Sequence, residues 1–355
     1  MRRRVLVTGT DHNFSPGTSL EISCPDFLRG FLSPEFELVG KLPAEFLVSF
    51  NHHPRNYSQF LKAGGDPSKT LLIRLEPECV YPSQYKKRVT CKYGHVLSPG
   101  RPLPHGSENF IRWPYAYHKN PSSPTSFKTT LNEIANQNLE LFTWQSWKDR
   151  DIALSLIAAN KVSAISNSNY LLRKKLAHEL KYDGFEVYGP LWGYTPLKRI
   201  RQSLIVGLIS LKQRTFPNLH TLFRYSFAKY AASKGEVENK HEILKASKYT
   251  LVIENSNTIV TEKLFDALLN GSVPLYVGPN LTSVGLPPDI AIEINGMAEE
   301  VYAALVDQSE MKIQGQLDTM LDFLSSKDFL DSWSSEIVFR ELAQKSIRYF
   351  EESNK

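Results

Sequence analysis

Cysteine is scarce in this chain, which carries only Cys24, Cys79 and Cys91 among its 355 residues. None of them falls in a Cys-x-x-Cys or Cys/His spacing of the kind that binds zinc. An odd and small count in a chain of this length also argues against a disulfide framework. These absences predict a reducing, cytoplasmic environment and no structural metal.

Long apolar runs are missing as well. The chain begins MRRRVLVTGTD, where a basic flank precedes an apolar run that is too short for a signal peptide. No other run is long enough to span a bilayer. The net charge of +5 is too small to indicate nucleic acid, although it is compatible with anionic ligands or with contact at a membrane surface.

The composition is that of a soluble globular protein, with 41% hydrophobic and 22% charged residues. Short strand-like runs alternate with helical patterns in both halves, among them FELVG, EFLVSF and TLLIRLEP in the first half and KVSAISN, FEVYG and DIAIEIN in the second. This alternation predicts an α/β fold with parallel sheets. We expect an N-terminal domain over residues 1–155, a C-terminal domain over 156–334, and a helix over 335–355 that packs back on the first domain. The default ligand site is a cleft between two such domains.

The segment TLVIENSNTIVTEKLFDALLNGSVPLYVG, residues 250–278, contains two apolar strands around a helix. Thr261 is the predicted N-cap and Gly271 the predicted C-terminal stop. Glu262 suits the first turn because the helix dipole favours an anion there, whereas Lys263 is disfavoured by the same dipole. A lysine added to the N–H groups of a helix start makes a diphosphate-binding arrangement. The alternative is a surface lysine paired with Glu262 or another carboxylate.

Polar residues follow the first of these strands. Glu254, Asn255 and Asn257 either shape a turn or form a ligand-facing rim for a nucleoside or sugar.

Upstream, SNSNYLLRKKLAHEL repeats the strand-to-helix geometry. Its leucine stripe predicts a helix with Arg173 at the edge of the apolar face and Lys174 on the solvated side. Arg173 is either a second phosphate-binding group or an arginine that extends to the surface.

These two units resemble glycosyltransferase family 10, the α-1,3/1,4-fucosyltransferases. The family signature, roughly Phe-Glu-Asn-Ser…Tyr-Val-Thr-Glu-Lys…Ala-Leu…Gly-x-Val-Pro-Val-Tyr-x-Gly, matches IENSNTIVTEKLFDALLNGSVPLYVG over nearly thirty residues. The resemblance implies a GT-B architecture, in which two Rossmann-like domains face a central cleft. It also implies inverting transfer from GDP-fucose to a carbohydrate acceptor, without a cofactor or an obligatory metal.

The resemblance also implies roles for individual residues. Lys263 and Arg173 would neutralise the diphosphate, Glu262 and Asn255 would contact the fucose or ribose, and Glu254 and Thr261 would complete the donor site. Ile259 stands where the family usually has a nucleotide-contacting tyrosine, so that contact is absent or comes from another residue.

The N-terminal half contains a candidate base in TLLIRLEPECVYP. The family places its general base just after this strand; Glu76 matches that position best and Glu78 is the runner-up. The alternative is two surface glutamates in a proline loop. His52 and His53 end another strand and are candidate acceptor contacts, but adjacent side chains on a strand point to opposite faces and cannot chelate one metal.

Two other functions remain open at this level. One is a GT-B enzyme that uses a different nucleotide sugar, and the other is a catalytically silent glycan-binding homologue. The basic region over residues 197–234 is interpreted as scattered solvated charge, with acidic glycans or a membrane surface as the alternative.

Overall fold

The computed structural model of the chain describes residues 2–9, 25–31, 35–99, 107–110, 139–163, 165, 167–192, 204, 230, 232–306, 308–333 and 335–353. All structural statements below refer to these residues. The basic region over 197–234 lies almost entirely outside them. The chain divides into two compact units, an N-terminal unit of Met1–Thr130 with Asp328–Lys355 and a C-terminal unit of Leu131–Lys327.

This division lies earlier in the chain than the predicted boundary between residues 155 and 156. Arg150 explains the difference, because its guanidinium ties the segment before it to the C-terminal sheet. Nη1 donates to the carbonyls of Ser247 (2.8 Å) and Gly271 (2.7 Å), and Nη2 donates to the carbonyl of Leu141 (2.8 Å). The segment from 139 onward therefore belongs to the C-terminal unit.

The N-terminal unit contains a sheet of six strands. They are β1 (Arg3–Thr8), β2 (Phe36–Val39), β3 (Phe46–Phe50), β4 (Thr70–Ile73), β5 (His95–Pro99) and β6 (Ser107–Phe110). Their spatial order is β2-β1-β3-β4-β5-β6, and every neighbouring pair is parallel. All residues of β3 and β4 are buried, as expected for central strands of a parallel sheet that is covered on both faces.

A second six-stranded parallel sheet forms the C-terminal unit. Its strands are β7 (Ile152–Ile157), β8 (Phe185–Tyr188), β9 (Ser233–Gly235), β10 (Ser247–Ile253), β11 (Val273–Val277) and β12 (Ile292–Glu293). They lie in the order β12-β11-β10-β7-β8-β9. The two parallel sheets confirm the predicted α/β fold.

Helices connect and cover these strands. In chain order they are α1 (Pro25–Gly30), α2 (Pro54–Lys62), α3 (Lys87–Thr90), α4 (Trp144–Lys148), α5 (Tyr170–Glu179), α6 (Lys240–Ala246), α7 (Glu262–Leu269), α8 (Ala298–Val306), α9 (Glu310–Ser325), α10 (Lys327–Trp333) and α11 (Ser335–Glu352). Short 3-10 helices lie at Pro67–Lys69, Pro82–Tyr85, Leu139–Phe142, Thr282–Val284 and Pro288–Ile290. Among the helices of the described ranges, none combines the length and apolar character needed to cross a bilayer.

The predicted C-terminal helix is α11, and it packs against α1 in the N-terminal unit. Phe339 and Phe350 join the same core as Phe27 of α1 and the strands of the first sheet. A Cβ atom at Gly30 would lie 2.4 Å from the Cβ of Ala343, so the close approach of the two helices depends on this glycine. The C-terminal helix α11 thus shares one hydrophobic core with α1 and the first sheet.

One predicted strand is wrong. KVSAISN was expected to be a strand, but the described residues of 161–167 contain none, and the first strand of the C-terminal sheet is IALSLI at Ile152–Ile157. The reason is that a six-residue apolar run fills the central position between β10 and β8 and ends before the segment KVSAISN. The described residues of this less apolar segment follow the carboxyl end of β7 outside any strand or helix.

Candidate functional site

The carboxyl end of β10 is held by an arginine of α5. Arg173 is buried, and its Nε donates to the carbonyl of Ile253 (3.1 Å). Its Nη2 donates to the same carbonyl and to Oδ1 of Asn255 (2.9 Å). The guanidinium carbon also lies 5.1 Å from the ring centroid of Tyr170. Arg173 therefore faces inward and fixes both the end of the strand and the amide of Asn255.

The two polar loops identified in the sequence lie side by side. The N–H of Asn169, just before α5, donates to the carbonyl of Asn255 (2.9 Å), and its Nδ2 donates to Oδ1 of Asn257 (2.7 Å). Ser168 and Ser256 form an isolated antiparallel bridge between the same loops. The tertiary structure thus joins two motifs whose contacting residues, such as Asn169 and Asn257, are 88 positions apart in the chain.

A buried carboxylate links the end of β10 to the start of α7. Glu254 is 0% exposed, and its carboxylate accepts the N–H (2.7 Å) and the hydroxyl (2.6 Å) of Thr261. Thr261 is the predicted N-cap residue, but its hydroxyl makes no capping bond. Thr261 is thus the N-cap residue of α7, as predicted, but its hydroxyl donates to Glu254 and accepts from Nζ of Lys263 instead of from a helix N–H.

Lys263 lies in the first turn of α7, beside this pair. Its Nζ donates to Oγ1 of Thr261 (2.7 Å) and lies 3.5 Å from Oε2 of Glu254 and 3.6 Å from Oε1 of Glu262. The side chain keeps 20% of its surface exposed. The carboxylate pairing that was the alternative expectation for Lys263 is therefore present, and diphosphate binding by its partly exposed ammonium stays a prediction.

The electrostatics of the cluster are dominated by burial. Loss of solvent raises the pKa of the Glu254 carboxyl above its ordinary value of 4.5, although Lys263 and the two bonds from Thr261 act in the opposite direction. The ammonium of Lys263 is thus the nearby positive charge that favours an ionised Glu254. An anionic ligand bound at Lys263 would interact with the same ammonium and would therefore weaken the pairing of Lys263 with Glu254.

Two residues of this cluster, Tyr276 and Gly278, were not predicted from the sequence. The Tyr276 hydroxyl is buried and has no hydrogen-bond partner within the described chain, and burial together with the charge of Glu254 raises its pKa. A Cβ atom at Gly278 would lie 2.2 Å from that hydroxyl and 3.0 Å from Cγ of Glu254. The glycine directly after β11 was the available signal that the backbone approaches another group closely there.

The prediction for Lys174 is wrong. It was placed on the solvated side of its helix, but Lys174 is 3% exposed and its Nζ donates to Oδ1 of Asn160. Asn160 is itself buried in the loop after β7, with its N–H bound to the carbonyl of Pro190 (3.0 Å). That loop covers a face of α5 that the periodicity assigned to solvent. The neighbouring Lys175 keeps 40% of its side chain exposed, on the solvated side as expected.

Ile259, at the position of the family tyrosine, is 0% exposed. Its side chain belongs to the interior of the C-terminal unit, so it makes no surface contact with a nucleotide. The adjacent Ser256 and Thr258 hydroxyls bond to each other at 2.7 Å.

The remaining predicted site residues lie in the N-terminal unit, at the carboxyl ends of β3 and β4. Glu76 and Glu78 are both half-buried. The backbone N–H of Glu76 donates to Oδ1 of Asn51 (3.2 Å), and its carbonyl accepts from Nε2 of Gln84 (3.1 Å) and from the hydroxyl of Tyr85 (3.0 Å). Glu76 is thus held by its backbone in a polar network.

The two histidines occupy different environments. His52 is buried, and its Nδ1 shares a hydrogen bond of 3.0 Å with the hydroxyl of Tyr93, whereas His53 is half-buried at the start of α2. Packing thus accounts for His52, and His53 is the more accessible of the two. Within the described ranges, no group of three or more His, Cys, Asp or Glu side chains could hold a metal ion.

His52 is expected to make the stability of the N-terminal unit depend on pH. Burial, and then the positive charges of Lys92, His53 and Arg74, lower the pKa of His52 from 6.5 to about 4. The unfolded chain therefore takes up this proton below pH 6.5, while the folded chain stays neutral down to about pH 4. Acid favours unfolding across that window, with a loss on the order of 1–3 kcal/mol.

Urea unfolding at pH 7 and at pH 4.5 would measure this loss. The difference between the two pH values should shrink in His52→Gln and persist in the matched variant His53→Gln. An unchanged difference in His52→Gln would assign the acid sensitivity to other groups.

No family model matches the chain. Its fold is similar to the crystal structure of an α1,3-fucosyltransferase, at 12% identity and a TM-score of 0.47, over 99% of this chain and 90% of that chain. It is also similar to an α,α-trehalose-phosphate synthase (UDP-forming) from Burkholderia vietnamiensis, at 9% identity and a TM-score of 0.49, over 88% and 73% of the two chains. Anabaena Alr3699/HepE in complex with UDP and glucose matches at 7% identity and a TM-score of 0.48, over 98% and 100%. At these identities the similarity is one of fold alone.

Proposed function

We propose that the chain is an inverting glycosyltransferase that transfers fucose from GDP-fucose to a hydroxyl of an acceptor glycan. One observation carries the proposal: Lys263 stands in the first turn of α7, and the residues that end β10 join it to Arg173. Ile253 and Asn255 bind the guanidinium, and Glu254 pairs with the ammonium. The two cations named by the family resemblance thus belong to one connected cluster.

The donor is bound through its diphosphate. The N–H groups in the first turn of a helix have no partner within the helix and favour an anion. The ammonium of Lys263 adds a full positive charge at that point. Arg173 contributes its charge while it holds the carbonyl of Ile253, and Asn255 and Glu262 contact the fucose or ribose.

The reaction is a single displacement. Glu76 accepts the proton of the acceptor hydroxyl as its oxygen bonds to the anomeric carbon of the donor. The bond from that carbon to the diphosphate oxygen breaks, and GDP leaves with the electron pair. Lys263, Arg173 and the N–H groups of α7 stabilise the negative charge that grows on the diphosphate, and preorganised groups of this kind contribute a few kcal/mol each.

A different nucleotide sugar is the second candidate donor, and Ile259 is the observation that favours it. Because this side chain is fully buried, the nucleotide contact made by the family tyrosine has no counterpart at this position. The phosphate-binding part of the proposal would be unchanged with UDP or another nucleoside diphosphate.

Release of the nucleotide from a panel of GDP and UDP sugars tests the proposal. N-acetyllactosamine and related glycans serve as acceptors, and each donor is also measured without an acceptor. Acceptor-dependent GDP release with GDP-fucose alone supports the first proposal, and release with another donor supports the second. Binding of GDP or glycan with no release from any donor contradicts both and favours a catalytically silent binding protein.

A further inference from the structure

The backbone of Glu76 is held by side chains although it belongs to no strand or helix. It lies just beyond β4, where ladder hydrogen bonds end. Oδ1 of Asn51 accepts its N–H, and Nε2 of Gln84 and the hydroxyl of Tyr85 donate to its carbonyl. Both polar groups of this peptide position are thus fixed by side chains from outside the strand.

Asn51 is the centre of this network. It is 3% exposed and has a φ of 59°, in the left-handed region that asparagine tolerates better than most residues. Its own N–H donates to the carbonyl of Ile73 (2.8 Å). Its Oδ1 accepts from the N–H of Leu75 (3.0 Å), the N–H of Glu76 (3.2 Å) and Nε2 of Gln84 (3.2 Å).

Gln84 connects Asn51 to the other side of the peptide. It is fully buried, and its Oε1 accepts the N–H of His52 (3.2 Å) while Nε2 donates to Asn51 and Glu76. The carbonyl of Gln84 accepts from Nη2 of Arg74 (2.7 Å). Since every bond runs through buried or half-buried groups, water competes weakly and the arrangement is stiff.

A second contact orients Tyr85. The guanidinium carbon of Arg74 lies 4.4 Å from the centroid of the Tyr85 ring, and Arg74 is fully buried. The ring therefore has a fixed support on one face while its hydroxyl donates to Glu76. Tyr85→Phe would remove this one bond and keep the ring on Arg74.

We propose that Asn51, with Gln84 and Tyr85, is a positioning residue that holds the carboxylate of Glu76 where it accepts the acceptor proton. The inference rests on the proposed function, in which Glu76 is the base. Proton transfer requires the base within hydrogen-bond reach, and a displacement near 1 Å costs about 10²-fold in rate. A left-handed asparagine that accepts from two successive N–H groups fixes the point at which the chain leaves β4.

Asn51→Gly tests the inference, because glycine keeps the left-handed backbone and removes the acceptor oxygen. We expect kcat of the transfer to fall about 10–100-fold. The dissociation constant of GDP and KM for the donor should stay within twofold, since the donor site is in the C-terminal unit. Asn51→Asp keeps an acceptor for all three donors and should recover most of the rate. Tyr85→Phe is the milder variant and should lower kcat severalfold. It tests the same inference if Asn51→Gly does not fold.

A double variant separates a positioning role from a merely structural one. If Asn51 acts through Glu76, adding Asn51→Gly to Glu76→Gln lowers the residual rate no further. Additive losses, a parallel loss of GDP affinity, or a folded Asn51→Gly with the wild-type kcat would each overturn the inference. An unchanged kcat in Glu76→Gln itself would instead overturn the assignment of the base, so the two failures are distinguishable.

Discussion

Replacing Lys263 with alanine is expected to lower kcat/KM of the proposed transfer about 10²–10³-fold, because the variant loses a charge that stabilises the leaving diphosphate. The fold should survive. Removal of the ammonium leaves Glu254 buried without the cation that lies 3.5 Å away, but burial already raises the pKa of this carboxyl. Glu254 then takes up a proton instead of forcing the unit to unfold. Nucleotide release measures the rate of the variant, and circular dichroism measures whether the variant is folded.

Two controls separate the catalytic loss from a structural one. Lys175→Ala removes a partly exposed lysine of α5 that pairs with Glu179 at 3.8 Å and should leave kcat/KM unchanged. Lys263→Ala combined with Glu254→Gln removes the buried charge as well, so stability should return while activity does not. Full activity of Lys263→Ala would remove this lysine from the mechanism.

Glu76→Gln is expected to lower kcat about 10²–10⁴-fold, the range typical of a lost general base. The affinity for GDP should be nearly unchanged, because the donor contacts are assigned to the C-terminal unit. Glutamine keeps the bonds that the N–H and the carbonyl of residue 76 make with Asn51, Gln84 and Tyr85. Transfer kinetics and calorimetric titration with GDP measure the two effects separately.

Glu78→Gln and Glu37→Gln are the matched controls. Glu37 is an exposed residue of β2, so its replacement should change neither rate nor affinity. A larger loss in Glu78→Gln than in Glu76→Gln would transfer the role of base to the runner-up. Loss of GDP binding in Glu76→Gln would contradict its assignment as the base.

Much of the fold was contained in local patterns. Apolar runs of four to seven residues next to helical periodicity predicted the α/β class, and the pattern of residues 250–278 gave β10, α7 and β11 in the correct order. The C-terminal helix was equally clear. The strand predicted at KVSAISN was wrong because the apolar character of this segment is weak. The more apolar run IALSLI, just before it, occupies the central position of the sheet.

The sequence by itself determined the two parallel sheets and the location of Lys263 at a helix start, since hydrophobic period and strand ends are local properties. Only the tertiary structure decided that Thr261 bonds to Glu254, that Lys174 and His52 are buried, and that Asn51 holds the backbone of Glu76. Periodicity tells which face of an element is apolar, but a polar side chain is paired and desolvated by elements distant in the sequence. Those partners become neighbours only when the strands have been placed in order.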